Sequence, residues 1–485
     1  MKKICLFFIS FLGTNDAFLT TWPTTIRQQR RTSFFLASIE EEFNPHRNKS
    51  LHHIQEENDQ AISKVKVDDD EPSRDDPFRH TETSQSPTDD PSTSPSGIAI
   101  ILNANARGVN SNLIRSIQSK FDSSDQVQIF VTSTEQEARQ AVNELQRKPT
   151  KIVIPVGGDG TLTTMLQFFQ DISTSRRLPL FAYIPMGTGN ALGPVIGSTP
   201  HRRFRRSKRM EAVTNVLDQL LDTAKTLTNK EETTTKDGDV YVENQSIDIV
   251  DLPLLQITTS SSKNLTEQKR MCCFFAGIGF DSLMLQDYED LQTWSSKSKL
   301  WKDKFQSVWG YTVTLFTRTL PKCISHQSHQ VNVELSTTAS ACWVDHRRGD
   351  VLRKIPTNES GKIVLYKGQA GIVAAATTPF YGGNLKLFPF ARLTENGCQV
   401  RIGRIHPLNG VLHIPQIFQG TYRNANMGCL DFIGTEFTLD ITSPNQGYPV
   451  QHSGESIGPS QQVCFKVMEE PVRFVTLLPS RLVTE

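Results

Sequence analysis

A short apolar run that stops in a glycine turn constrains this chain more than any other stretch. Residues 152–156 (IVIPV) are apolar and largely β-branched, and residues 157–160 (GGDG) follow them directly. Apolar residues then recur over residues 162–172 at a spacing typical of an amphipathic helix. The pattern predicts a buried strand, a tight turn and a helix. Such a turn presents backbone N–H groups and a helix N-terminus to an anion, and it places Asp159 at the carboxyl end of a strand.

A second glycine turn follows the next apolar run. Residues 180–185 (LFAYIP) lead into residues 186–190 (MGTGN). Thr188 lies 188 − 159 = 29 positions after Asp159, which leaves room for one helix and one parallel strand. One glycine turn alone is as compatible with an ordinary strand-to-helix connection as with a phosphate site. Two such turns after adjacent parallel strands favour a phosphate site at one edge of a sheet.

The length, charge and cysteine pattern narrow the function classes. At 485 residues the chain can form two or three domains. A formal charge of +1 gives no support for nucleic-acid binding. The eight cysteines lack the paired C-x-x-C spacing of zinc sites and do not indicate a disulfide framework.

The first 96 residues differ in composition from the rest. Two lysines precede a short apolar run at residues 4–12, and after Asp16 a Thr-, Ser- and Arg-rich stretch has no acidic residue before Glu40. We predict that residues 1–39 form a two-part signal and transit presequence for plastid import, with the secretory pathway or membrane association as alternatives. Residues 40–96 are polar and acidic, and they predict a disordered linker.

Ordered sequence begins at Gly97. Apolar runs at residues 98–102 and 127–131 read as strands, and helical patterns separate them from the run that opens the glycine turn. Alternating strands and helices predict a doubly wound, Rossmann-like α/β domain over residues 97–246. Within it, residues 228–245 are charged and Thr-rich and predict an exposed loop.

Short β-rich segments dominate the second half of the chain. They predict a mainly antiparallel β-sandwich domain over residues 247–485. Between the two halves, residues 201–209 form a basic run. This run predicts either a solvated segment or attraction to anionic lipid headgroups.

Taken in order along the chain, five motifs resemble the diacylglycerol kinase catalytic-domain family, which includes sphingosine, ceramide and bacterial lipid kinases. They are residues 157–161 (GGDGT), 185–190 (PMGTGN), 277–281 (GIGFD), 381–391 (YGGNLKLFPFA) and 454–455 (GE). The resemblance implies an NAD kinase/diacylglycerol kinase-like fold, with the active site in a cleft between an α/β nucleotide domain and a β-sandwich.

The resemblance also implies roles for individual residues. ATP and Mg²⁺ are the implied cofactors, and the metal ligands are not individually identified. Asp159 would lie nearest the transferred phosphoryl group and either orient Mg²⁺ or accept the proton of the substrate hydroxyl. Glu455 would help to hold the metal or assist the base. The β-sandwich domain would bind the lipid. The residues that would bind ATP are Asn103, Thr132, Gly157, Gly158, Gly160, Thr161, Gly187, Thr188 and Asn190.

Two positions depart from the family pattern. The family commonly has Asp before the C-terminal Gly-Glu pair, where this chain has Ser453, and Asp after the second glycine turn, where it has Ala191. These departures place more of the catalytic role on Asp159. Other carboxylates that could contribute, each equally compatible with a structural role, are Asp281, Asp248 and Asp251.

The motifs favour an ATP-dependent lipid kinase that phosphorylates a hydroxyl of a diacylglycerol or a sphingoid-type lipid. An NAD kinase-like enzyme and a catalytically weakened nucleotide- or lipid-binding regulator remain alternatives. The expected partners are a lipid substrate and a peripheral membrane surface, without nucleic acid. A homodimer is also compatible with the sequence.

Overall fold

The structure is a computed structural model in which the described residues all lie within one compact unit, residues 91–485. The predicted presequence and linker, residues 231–245 of the predicted loop, and Thr188 lie outside the described residues. The described ranges are 97–148, 150–172, 178–187, 189–196, 206–230, 248–261, 264–295, 308–326, 330–356, 361–382, 385–404, 406–423, 428–442 and 447–476.

The strands of these ranges are numbered in chain order. They are β1 (Ile98–Asn103), β2 (Val127–Thr132), β3 (Ile152–Gly157), β4 (Leu180–Phe181), β5 (Ile184–Pro185), β6 (Asp248–Leu252), β7 (Leu255–Ser261), β8 (Asn264–Cys273), β9 (Phe275–Gly279), β10 (Val331–Thr337), β11 (Ala341–Asp345), β12 (Val351–Lys354), β13 (Ile363–Ala370), β14 (Ile372–Ala376), β15 (Cys398–Gly403), β16 (Cys429–Gly434), β17 (Glu436–Thr442), β18 (Tyr448–His452), β19 (Glu455–Ser460), β20 (Gln462–Val467) and β21 (Val472–Thr476).

The helices are numbered in the same way, and a π-helical segment (Leu315–Thr319) lies between the sixth and the seventh of them. None of the helices in the described ranges has the length and apolar character needed to cross a membrane. The α-helices are α1 (Ser111–Phe121), α2 (Glu135–Arg147), α3 (Asp159–Ile172), α4 (Arg206–Lys230), α5 (Phe280–Ser295), α6 (Val308–Thr314), α7 (Leu320–His326), α8 (Pro407–Leu412) and α9 (Ile414–Phe418).

The first sheet has helices on both faces. Its strand order is β2-β1-β3-β4-β21-β6, with β5 also paired to β3, and β1 to β4 run parallel. Side chains alternate along a strand. Accordingly Ala99 and Ile101 pack with α2 and α3, whereas Ile98, Ile100 and Leu102 pack with α1 and α4. The predicted doubly wound α/β fold is confirmed.

Two strands of the second half of the chain return to this first sheet. β21 pairs parallel with β4, and β6 pairs antiparallel with β21. A domain boundary at residue 247 therefore does not separate the first sheet from the other two. The sequence pattern shows that a segment is a strand, but it does not show which sheet the strand joins. The C-terminal strand closes the α/β part after the chain has built the β-rich part.

The remaining strands form two antiparallel sheets that share one core. Their orders are β13-β10-β17-β20-β7-β8 and β12-β11-β16-β15-β14-β9-β18-β19. Inward side chains from both sheets, such as Phe437 and Phe465 of the first and Val400 and Val450 of the second, pack in a single cluster. This arrangement confirms the predicted antiparallel β region. Because β8 leads directly into β9 through Phe274, one continuous segment connects the two sheets beside the α/β part.

Candidate active site

The two glycine turns contact one another at the carboxyl ends of β3 and β5. The backbone N–H of Met186 donates to the carbonyl oxygen of Gly157 at 2.6 Å. A Cβ atom on Gly187 would overlap Cα of Gly158, so neither turn has room for a side chain at this contact. The structure thus brings the two turns to one sheet edge, as their spacing in the sequence predicts.

Asp159 begins α3 and is buried between the turns, with 8% of its surface exposed. Its Oδ2 accepts a hydrogen bond of 2.8 Å from the backbone N–H of Ala191, and its Oδ1 accepts a longer one, 3.4 Å, from the Tyr183 hydroxyl. Burial raises the pKa of Asp159 to about 6, and the hydrogen bonds from Ala191, Leu192 and Tyr183 oppose that rise. Asp159 is therefore mostly ionised at neutral pH and able to take up a proton.

The side chain of Asn190 stabilises its own turn. Its Oδ1 accepts from the N–H of Gly187 at 2.9 Å, and its Nδ2 donates to the carbonyl of Gly187 at 3.0 Å. Asn190 has φ = 48°, a left-handed conformation that asparagine tolerates better than most residues. The amide of Asn190 thus stabilises the turn that carries it.

Asn103 and Thr161 link the end of β1 to the first turn of α3. The Nδ2 of Asn103 donates to Oγ1 of Thr161 at 2.8 Å. A Cβ on Gly157 would lie 2.7 Å from Cβ of Thr161, so the glycine permits the close packing of Thr161 on the end of β3. At the neighbouring strand end, Thr132 is buried and its hydroxyl donates to the carbonyl of Leu102 at 3.4 Å.

An open cleft of about 510 Å³ lies beside these strand ends, a size within the usual range of ligand pockets. Of the predicted site residues that the structure describes, the lining contains Asn103, Thr132, Gly160, Thr161 and Glu455. The others are Gly157, Gly158, Asp159, Gly187 and Asn190, which form the contact between the turns instead.

Glu455 lies over the first turn of α3, brought there by the tight turn between β18 and β19. A Cβ on Gly160 would overlap Oε1 of Glu455, so a side chain at position 160 would displace this carboxylate. Desolvation and, secondarily, the carboxylates of Glu289 and Glu135 raise the pKa of Glu455. Glu455 therefore lies against the residue that follows Asp159 in the chain.

The cleft also contains basic residues that sequence reasoning missed. Lys269 and Arg270 of β8 line it opposite α3, to which β8 is joined by a 2.7 Å hydrogen bond from the N–H of Cys272 to Oε1 of Gln167. Arg139 of α2 also lines it, with its guanidinium 4.3 Å from the centre of the Phe168 ring. The only sequence signal was the adjacent Lys-Arg pair before the apolar run at residues 271–276.

His452 of β18 lines the same cleft and was also missed. Burial, and to a lesser degree the charge of Lys269, lowers the pKa of His452 to about 4, so its imidazole is neutral at physiological pH. Its Nδ1 is buried without a hydrogen-bond partner among the described residues. A neutral imidazole can accept or donate a hydrogen bond to a ligand in the cleft.

The departures from the family pattern have distinct structural consequences. Ala191 contacts Asp159 through its backbone N–H, so this contact does not depend on the side chain at that position. Ser453 adopts φ = 47° in the turn after β18, and its buried hydroxyl has no partner among the described residues. The serine therefore supplies no carboxylate beside Glu455.

The additional carboxylates are placed differently from one another. Oδ2 of Asp281 accepts hydrogen bonds from the Tyr381 hydroxyl and from Nε2 of Gln451, which binds the start of α5 to the Tyr381 loop. Asp248 and Asp251 lie on β6, separated from β3 by β4 and β21. The structure does not bring these two residues to Asp159.

The residues fit a nucleotide carried with a divalent ion better than a metal held by protein alone. No group of three or more His, Cys, Asp or Glu side chains in the described part of the chain is arranged to hold a metal. Mg²⁺ typically uses one or two carboxylates together with substrate phosphates, and Glu455 in the cleft lining supplies one. The glycine turns and the basic residues suit the phosphates.

No curated protein matches the chain. Among solved structures, a diacylglycerol kinase from Bacillus anthracis str. Sterne is 11% identical, with a TM-score of 0.44 over 79% of this chain and 98% of that one. A structure of a proposed diacylglycerol kinase from the same organism is 13% identical, with a TM-score of 0.47 over the same shares. Similarity at this level is too low to support an assignment of function.

The α/β part of the chain has a direct family match. Residues 97–227 match the family model of the diacylglycerol kinase catalytic domain. The match contains both glycine turns, Asp159 and the strand ends that line the cleft. The resemblance predicted from the two glycine turns is thereby confirmed for residues 97–227, which are similar to the diacylglycerol kinase catalytic domain.

Proposed function

We propose that the protein is an ATP- and Mg²⁺-dependent kinase that transfers a phosphoryl group to a hydroxyl of a diacylglycerol or a sphingoid-type lipid. The observation that carries the proposal is the buried carboxylate of Asp159, fixed at the contact of the two glycine turns inside the matched catalytic domain. Phosphoryl transfer depends on positioning and on stabilisation of negative charge, and this edge of the sheet offers both.

Different residues of the site would bind the phosphates, accept the proton and hold the metal. The glycine turns and the cationic side chains Lys269 and Arg270 would bind the phosphates. Asp159, with a pKa raised to about 6, would accept the proton of the attacking hydroxyl. Glu455 would help to hold Mg²⁺, which would supply compensation for phosphate charge when it is bound with ATP.

A panel of acceptors tests the proposal. The full chain would be given labelled ATP and Mg²⁺ with diacylglycerol, sphingosine, ceramide or NAD. Labelling of a lipid is the expected result. Labelling of NAD alone would establish the NAD kinase-like alternative and contradict the lipid assignment.

The position of Ser453 favours a second candidate, a nucleotide- or lipid-binding regulator with weak or no transfer activity. If ATP binds but no acceptor is labelled, this candidate replaces the lipid kinase. The variant Ser453→Asp provides a further comparison, since aspartate tolerates the left-handed backbone at this position. Faster transfer by Ser453→Asp than by the native chain would show that the serine limits the reaction.

A further inference from the structure

Four large apolar side chains are exposed on three short helices of the β-rich part. They are Ile324 of α7, Leu408 and Leu412 of α8, and Phe418 of α9, each with between 40% and 49% of its surface exposed. Leu408 and Leu412 are four residues apart on one helix and share a face. Because α7 packs against α8 and α8 against α9, the four side chains belong to one region, called here the α7–α9 surface.

The segments that build this surface carry no acidic residue. Residues 304–333 and 396–430 contain neither Asp nor Glu, in a chain with 51 acidic residues among 485. Carboxylates from other elements reach only part of the region: Asp287 pairs with Lys322, and Asp350 pairs with Arg423. The surface therefore combines exposed apolar side chains with a charge that is neutral or positive.

Two further basic residues flank the α7–α9 surface. The aliphatic stem of Lys386 packs on Gly420, just after α9, and that of Arg404 packs on Gly428. Long basic side chains commonly bury their stems and keep their charged ends in water or at a lipid headgroup. Apolar side chains surrounded by basic ones are complementary to a membrane that contains anionic lipids.

The α7–α9 surface is also connected to the candidate active site through a short loop. The backbone N–H of Lys386 donates to the carbonyl of Phe418 at 3.3 Å. Gly382, four residues earlier, faces Gly189, and a Cβ on Gly189 would lie 3.2 Å from Oδ2 of Asp159. Four residues span at most about 14 Å. One short segment thus contacts the α7–α9 surface at Lys386 and the second glycine turn at Gly382.

We propose that the α7–α9 surface docks the protein on membranes that contain anionic phospholipids. The apolar side chains enter the headgroup region, and Lys386 and Arg404 contact the anionic headgroups. The purpose of this docking rests on the proposed lipid-kinase function, whereas the docking itself does not require ATP. Binding and phosphoryl transfer can therefore be measured separately.

Vesicle binding by the full chain tests the proposal. Without nucleotide, the chain should co-sediment with phosphatidylcholine vesicles that contain roughly a third phosphatidylglycerol, and less with phosphatidylcholine alone or at high salt. The double variant Leu412→Glu/Phe418→Glu should bind at least about tenfold more weakly, since two apolar side chains no longer enter the membrane. The matched control is Val364→Glu, because Val364 is 51% exposed on β13, outside the α7–α9 surface. This variant should bind the vesicles as the native chain does.

A second variant separates charge from insertion. Lys386→Gln/Arg404→Gln should weaken binding to the anionic vesicles and leave binding to phosphatidylcholine unchanged. Native-like binding by the double glutamate variant, with an unchanged circular dichroism spectrum, would overturn the proposal. A native chain that does not bind the vesicles would also overturn the proposal. If that chain elutes as a dimer and the glutamate variant elutes as a monomer, the surface binds a second copy instead of a membrane. Transfer to a monomeric short-chain lipid tests the kinase function without any membrane.

Discussion

The backbone N–H of Ala191 donates a 2.8 Å hydrogen bond to Oδ2 of Asp159. This contact ties the second glycine turn to the first through the one carboxylate buried between them. It also means that replacing the family's usual aspartate by Ala191 leaves the bond intact. The chemistry of the site consequently depends on the environment of Asp159.

The activity should follow the ionisation of Asp159. Burial raises the pKa of this carboxyl to about 6, and below that pH its protonated form cannot accept a proton. We expect kcat/KM to fall about tenfold per pH unit below pH 6 and to level off above it. The variant Tyr183→Phe removes a hydroxyl donor to the carboxylate and should move this limb to higher pH. A limb that stays in place in Tyr183→Phe would show that another group controls the profile.

The raised pKa of Asp159 also predicts how the variant Asp159→Asn compares in stability with the native chain at different pH values. Because the pKa is raised in the folded state, folding of the native chain is favoured while Asp159 is protonated and loses stability as the pH rises from about 4 to 6. Asparagine does not titrate, so the advantage of the variant should grow across this window to about 3 kcal/mol. Urea denaturation at pH 4 and pH 8 measures the difference. An equal difference at both pH values would contradict the raised pKa.

The glycine contact predicts a sharp response to one methyl group. In Gly187→Ala the new Cβ would overlap Cα of Gly158 and push the turns apart. We expect a loss of about 1–3 kcal/mol in the free energy of unfolding and at least a tenfold loss of kcat/KM. The control for the free energy of unfolding is Gly410→Ala in α8, where a Cβ meets open space and the helix should gain slight stability. Equal stability of the two variants would show that the turns tolerate separation.

A buried charge network in the β-rich part should stabilise the fold without taking part in transfer. The guanidinium of Arg401 binds both oxygens of Asp431, at 2.7 and 2.9 Å, and His346 donates to Asp431 at 2.8 Å. Arg401→Met leaves Asp431 with less compensation and should cost about 3–5 kcal/mol of unfolding free energy. Activity per folded molecule should change little. A loss of activity in fully folded protein would connect this network to the site.

Much of the α/β part could be predicted from the sequence because its signals are local. The apolar runs and glycine turns fix β1, β3 and α3, and their spacing brings both turns to one edge. The positions of β6 and β21 could not be predicted, since pairing with the first sheet depends on contacts hundreds of residues apart. Lys269, Arg270 and His452 were missed for the same reason: they reach the cleft only because β8 and β18 are placed beside α3.

The contacts of individual side chains could not be predicted from the sequence either. Asn190 and Gly160 are predicted to bind the nucleotide, and the sequence does not show what else they contact. The structure shows that the amide of Asn190 stabilises the turn of Gly187. It also shows that Gly160 lies against the carboxylate of Glu455.

The most direct test of the account is phosphoryl transfer from labelled ATP to a lipid hydroxyl, measured for the native chain and for Asp159→Asn under identical conditions at neutral pH. We expect transfer by the native chain and less than about a tenth of that rate in the variant, a barrier increase above ~1.4 kcal/mol, with ATP binding and the circular dichroism spectrum retained. A variant that keeps most of the native rate would remove Asp159 from the chemistry and contradict the central claim.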